Sequence, residues 1–126
     1  MRRVLFVVLV VFVAALVSCA KSSAIRDASI DELHDALGKP GTVLIDVRRG
    51  AEMQNEMKFI EGAAHLPLHT LQQNLDRISK NSNIYLISND HGDTVTAANI
   101  LADAGYPFIY RVTETFDEYV AKYPQK

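Results

Sequence analysis

The chain has 126 residues, 48% of them hydrophobic and 22% charged, with a formal net charge of −2. Its one cysteine, Cys19, excludes an internal disulfide framework and a multi-cysteine metal site, and the acidic balance argues against nucleic acid or an anionic lipid surface as partner. This length predicts a single domain around one hydrophobic core.

"MRR" followed by the unbroken apolar run Val4 to Val17 has the n-region and h-region of a secretory signal. The run is shorter than the roughly 20 residues a membrane-spanning helix needs. "LVSC", Leu16 to Cys19, is similar to the bacterial lipobox, in which the cysteine becomes the lipidated first residue of the mature protein. The expected organisation is a lipoprotein signal peptide over 1–18, a lipidated tether over 19–26 and one folded domain over 27–126. Ala20, a non-Asp residue after the cysteine, implies by the same resemblance the periplasmic face of the outer membrane. Loss of Arg2 and Arg3 with the signal takes the 13 basic residues to 11 against 15 acidic ones, a net charge of −4. With Cys19 lipidated, the domain has no thiol for a disulfide, a metal or a nucleophile.

The remaining elements alternate. "SIDELHDALG" has Ser29 and Glu32 at capping-box spacing and Gly38 placed to end a short helix. "TVLIDV" is a β-branched, nearly continuous apolar run, as in a buried strand. "TLQQNLDRIS" puts Leu71, Leu75 and Ile78 on one helical face, with Thr70 and Gln73 as a second capping box. "NIYLIS" reads as another buried strand. "TVTAANILADAG" aligns Val95, Ala98, Leu101 and Ala102 on one face and stops at Gly105. "PFIYRV" is a third strand, and "TFDEYVAKY" a last helix capped by Thr115 with Glu118. This alternation predicts βαβ units around a mostly parallel sheet, with sites at the carboxyl ends of strands. Asp46 and Ser88 stand at two such ends.

"LIDVR" (44–48), Glu52 four residues later, and "IEGAAHLPL" (60–68) resemble the rhodanese pattern, as does "IYLISNDHGDTVTAANILADAGY" further on. The resemblance covers roughly residues 27 to 124. It implies a rhodanese-like three-layer α/β/α fold with a central, mostly parallel five-stranded sheet. It also implies structural roles for Asp46, Arg48 and Gly62, the first two holding neighbouring loops at a strand end.

The same alignment marks departures in the loop Ser88, Asn89, Asp90, His91, Gly92, Asp93, Thr94. Ser88 falls where rhodaneses carry the catalytic cysteine, Asp93 where they have an arginine, His91 at their loop glycine, and Thr94 at their serine. A rhodanese cysteine accepts a sulfane sulfur as a thiolate and carries it as a persulfide; its thiol ionises near pH 8.5 or lower. A serine hydroxyl is a weak nucleophile without an activating base and has no route to a stable persulfide. A helix N-terminus favours an anion by about 0.3–1 kcal/mol. A carboxylate about 5 Å away repels each unit of charge by roughly 3 kcal/mol at an effective dielectric of about 20. The loop is therefore expected to refuse thiosulfate, with Asp93 or Thr94 capping the helix and using its amides internally.

Two other chemistries use the same residues. Ser88, His91 and an aspartate are the types of a hydrolase triad, but residues three apart on a tight loop diverge, and no Gly-x-Ser-x-Gly elbow is present. Asp46, Asp90, His91 and Asp93 offer ligands suited to a divalent ion, at a spacing that matches no metal-loop motif. His34, His65 and His69 read as surface or turn residues, and Tyr106, Tyr110, Phe116 and Tyr119 as packing. The sequence thus predicts a catalytically inactive rhodanese-like lipoprotein without cofactor or bound metal. Its expected partners are the membrane, through lipid on Cys19, and an envelope protein or small ligand at the loop face. The alternative is an enzyme or metal-binding protein reusing Ser88, His91, Asp90 and Asp93, or a residual sulfurtransferase.

Overall fold

A computed structural model describes residues 24–50 and 58–126. The expected signal peptide, Cys19 and Glu52 lie outside the described residues. Five strands form one all-parallel sheet: β1 (Ala24–Ala28), β2 (Thr42–Asp46), β3 (Ala64–His65), β4 (Asn83–Ile87) and β5 (Phe108–Val112), in the spatial order β1-β5-β4-β2-β3. Four helices cover it: α1 (Ile30–Ala36), α2 (Leu68–Leu71), α3 (His91–Asp103) and α4 (Phe116–Lys122). The three strands expected from apolar runs are all present.

Alternation along the strands divides the core into two layers, because successive side chains point to opposite faces. Ile45, Ile84, Leu86 and Ile109 meet Leu71, Ala97, Ala98 and Leu101 on the α2/α3 side. Leu44, Ile87 and Val112 meet Ile30, Leu33, Phe116 and Tyr119 on the α1/α4 side. Each fully buried Leu, Ile or Phe contributes about 1.5–3 kcal/mol, which explains why the central strands are apolar on both faces. Tyr106 joins the first layer, and its hydroxyl reaches the Leu75 and Ile78 carbonyls at 2.6 and 2.8 Å. A buried phenol needs such a polar partner.

Both capping boxes at the ends of the domain form. Ser29 and Glu32 exchange hydrogen bonds at the start of α1, as do Thr115 and Glu118 at the start of α4. Gly38, at φ +85°, leaves α1 in the left-handed region that glycine enters without a Cβ penalty.

Four details differ from the sequence expectation. β1 takes in residues 24–26, assigned from sequence to the tether. α2 is a single turn that starts after Pro67 with no side-chain cap and tightens into a 3₁₀ segment, Gln72–Arg77. There the Thr70 hydroxyl donates to the Pro67 carbonyl rather than forming a box with Gln73. α3 begins at His91, capped by Asp90 and not by Asp93 or Thr94, because the Asp90 carboxylate is the one that accepts from the Gly92 amide, at 2.7 Å. On α3 Thr94 and Ala97 are buried with Ala98 and Leu101, the i, i+3, i+4, i+7 positions of one face, while Val95 faces solvent.

Candidate functional site

β2 and β4 are neighbours whose chain connections leave in opposite directions, toward β3 and β5 respectively. Beyond the carboxyl ends of two strands at such a topological switch point is where α/β sheets place their ligand crevices. Val47–Arg49 lead out of β2 into this region, and Ser88–Asp90 lead out of β4.

The β2 side is held by a buried ion pair. Arg48 is 1% exposed, and its Nε and Nη2 donate to both Asp46 carboxylate oxygens at 2.8–3.1 Å. The Arg48 amide donates to Asp46 Oδ1 at 3.1 Å, and Nη2 also donates to the Lys58 carbonyl at 2.9 Å. The guanidinium lies 3.2 Å from the centroid of the Phe116 ring. A planar cation can stack on an aromatic face and fork to a carboxylate at once, which lysine cannot do. The pair thereby ties the end of β2 to the Lys58 backbone and to the start of α4. His65 Nε2 sits 3.1 Å from the Arg48 carbonyl.

The β4 side is held mainly by backbone. Ser88 is 3% exposed; its Oγ accepts from the Asp90 amide at 3.3 Å and its carbonyl from the Phe116 amide at 3.0 Å. Asn89 Oδ1 accepts from the Asp117 amide at 3.0 Å, so the loop after β4 also satisfies the first turn of α4. The Asp93 amide donates to the Asp90 carbonyl, and the Thr94 hydroxyl donates to the His91 carbonyl. The amides of Asp90, Gly92 and Asp93 thus donate to the protein's own oxygens. The Asp93 carboxylate, in the first turn of α3 and 6% exposed, has Arg49 Nη2 at 3.9 Å.

The structure therefore gathers Asp46, Arg48, Ser88, Asn89, Asp93 and Phe116 at one pole, and turns Asp90, His91 and Gly92 outward. Ser88 Oγ pairs with a backbone amide, and no hydrogen bond joins it to His91 among the described residues. Nor do the described residues contain a group of three or more His, Cys, Asp or Glu placed to hold a metal ion. Gly62 occupies the third position of the Ile60–Ala63 turn at φ +82° and lets the chain reverse before β3. His34 is exposed on α1 and stacked on Tyr123 at 3.7 Å. His69 is exposed in α2.

Two partners were not singled out from sequence. Phe116 was legible only as a core residue, although Thr115-x-x-Glu118 fixes it as the first residue of a helix whose amide points at the β4 loop. Arg49 follows directly on a strand end that was already marked, and that position is the signal that could have found it.

Residues 29–122 match the family described as the rhodanese-like domain. No curated protein matches. Solved structures with this fold include SSP1007 from Staphylococcus saprophyticus, with a TM-score of 0.65 and 24% identity over 75% of this chain and 92% of that one. A single-domain sulfurtransferase, RDL2 of Saccharomyces cerevisiae, gives a TM-score of 0.69 at 14% identity over 81% of this chain and 94% of that one. Reduced CoADR-RHD from Bacillus anthracis gives a TM-score of 0.69 at 25% identity over 79% of this chain; the match spans 17% of that protein.

Proposed function

We propose, from the premise that the chain belongs to the rhodanese-like domain family, that it is a non-catalytic member whose Ser88–Thr94 pole binds a protein or small ligand. One observation carries this reading. The end of β4 carries a buried serine hydroxyl, 3% exposed, whose neighbouring loop amides are already used internally. Cys19 is the only cysteine of the chain, so residues 24–126 contain no thiol. Sulfur transfer through a persulfide needs a thiolate, and Ser88 lacks both the sulfur and an activating base. The Asp93 carboxylate adds negative charge where an anionic sulfur donor would have to approach.

On this proposal residues 1–18 are a lipoprotein signal, Cys19 carries the lipid, and the domain works on the periplasmic face of the outer membrane. The Val4–Val17 run and "LVSC" support that part. Palmitate labelling of wild type, lost in Cys19→Ala, tests it.

The test of the inactive reading is thiosulfate–cyanide turnover. Wild type is expected to stay at background, and Ser88→Cys alone is expected to stay there while Asp93 remains acidic. Turnover by wild type above a no-protein control would refute the inactive reading. A photocrosslinker at exposed His91 should capture the partner of this pole, and one at exposed Lys80 should not.

A further inference from the structure

We infer that the pole opposite the Ser88 loop rests on the lipid bilayer, with Phe108 and Ile25 entering the headgroup–acyl boundary beside the point where the anchor leaves the domain. This rests on the proposed lipidation of Cys19. Because the sheet is all parallel, its strand starts share one pole and its functional strand ends share the other. Ala24 pairs with Phe108 and Thr42 with Asn83 at the first pole, whereas Asp46 pairs with Ile87 at the second.

The tether leaves from the first pole. Cys19 and Ala24 are five residues apart, a span of no more than about 18 Å even when fully extended. The starting pole is therefore held close to the bilayer, and the Ser88 loop stands farther out by the length of the strands, roughly 16 Å for five residues.

Two exposed apolar side chains, Phe108 and Ile25, fall near that exit. Four large hydrophobic residues are exposed among those described: Ile25, Phe59, Val95 and Phe108. Phe108, at 48% exposure, is the register partner of Ala24 and so lies about 4.8 Å from the exit strand. Ile25, at 37%, is the next residue along that strand and points to the other face of the sheet. The two therefore flank the exit. Lys39 and Lys80, on the turns before β2 and β4, supply cations that can reach headgroups, but Asp103 at the end of α3 lies at the same pole and the domain is acidic overall. Apolar contact rather than charge is what holds this pole down, so the occupant is a bilayer of any headgroup charge.

The chain contains no tryptophan, so Phe108→Trp and, separately, His91→Trp each create a single reporter at an exposed position, one per pole. The full lipidated protein is placed in phosphatidylcholine vesicles with or without bromine on the acyl chains. Loss of emission at position 108 in bromolipid, with none at position 91, is the expected result. Vesicle-bound protein that shows no loss at 108, or equal loss at both positions, overturns the inference while leaving the anchor intact. So does a change at 108 that follows protein density rather than bromine, which would mark a second copy as the occupant. Absence of palmitate from wild type would instead remove the anchor, and this inference with it.

Discussion

Two carboxylate–cation contacts in this domain have nearly the same length and different surroundings. Asp46 and Arg48 meet at 2.8 Å in the interior of the pole at the strands' carboxyl ends, and Asp31 and Lys122 meet at 2.7 Å between α1 and α4. The side chains of the first pair are 1% and 3% exposed and those of the second 52% and 55%. Distance therefore does not rank them. A surface pair gains little over its two hydrated ions and costs side-chain freedom. A buried pair repays a large desolvation penalty only while both partners are present, so removal of one is far more damaging than the net stabilisation by the pair would suggest. The comparison assigns Asp46–Arg48 to the architecture of the crevice, and the Asp31 contact to a local clasp.

The largest effect expected is at Arg48. Arg48→Met leaves the Asp46 carboxylate buried without its cation and should cost about 3–5 kcal/mol, lowering the melting temperature by more than about 10 °C in a domain of this size. Replacing both residues, as Asp46→Leu with Arg48→Met, should recover much of that loss, because no uncompensated charge remains. A double variant as unstable as the single would mean that the Phe116 stack and the Lys58 carbonyl contact, rather than the charges, carry the stabilisation.

The interior of this pole was partly legible in the sequence. "TVLID" and "NIYLI" announce buried strands because both of their faces are covered, and the carboxyl ends that carry Asp46 and Ser88 follow from them. β1, "AIRDA", was not legible, since an edge strand that pairs only with β5 tolerates Arg26 and Asp27 and so lacks the apolar signature. β3 has two residues, too few for any periodicity. Arg48 over Phe116 joins residues 68 positions apart and can be seen only once the sheet order brings β2 beside β4 and the start of α4 beneath both. The cap of α3 is not decided by sequence, because Asp90, Asp93 and Thr94 are all good caps, and only the backbone conformation, extended at Asp90, selects among them.

That competition supplies the middle prediction, a carboxylate that works without a cation. Asp90 is exposed yet accepts a backbone hydrogen bond at the start of a 13-residue helix. Asp90→Ala should cost roughly 1 kcal/mol through the lost cap. Asp93→Asn, which keeps the shape and removes the charge near the same helix end, should cost about 0.3–1 kcal/mol. Thermal melts of the two variants check the order. If Asp93→Asn proved the more damaging, the weak contact with Arg49 at 3.9 Å would have to matter more than its length implies.

The smallest effect belongs to the exposed clasp, and pH is the way to see it. The hydrogen bond from Tyr123 to Asp31 pushes the phenol up to about 12, while the hydrogen bonds from Lys122 and then Tyr123 hold the Asp31 carboxyl below its ordinary value. The fold thus favours neutral Tyr123 and ionised Asp31. For the phenol, whose folded value is raised, the contribution is fully present below about pH 10, the ordinary tyrosine value, and is lost as pH rises toward about 12. For the carboxyl, whose folded value is lowered, the contribution is present above its ordinary value of 3.8 and is lost as pH falls below it. Tyr123→Phe keeps a ring to stack on His34 but removes the hydroxyl. Denaturation midpoints of wild type and Tyr123→Phe should differ slightly at neutral pH and converge between pH 10 and 12, where the wild type alone gives up this contact. A gap that stays constant across that range would show that the phenol is not engaged with Asp31, and the clasp would reduce to the Lys122 pair.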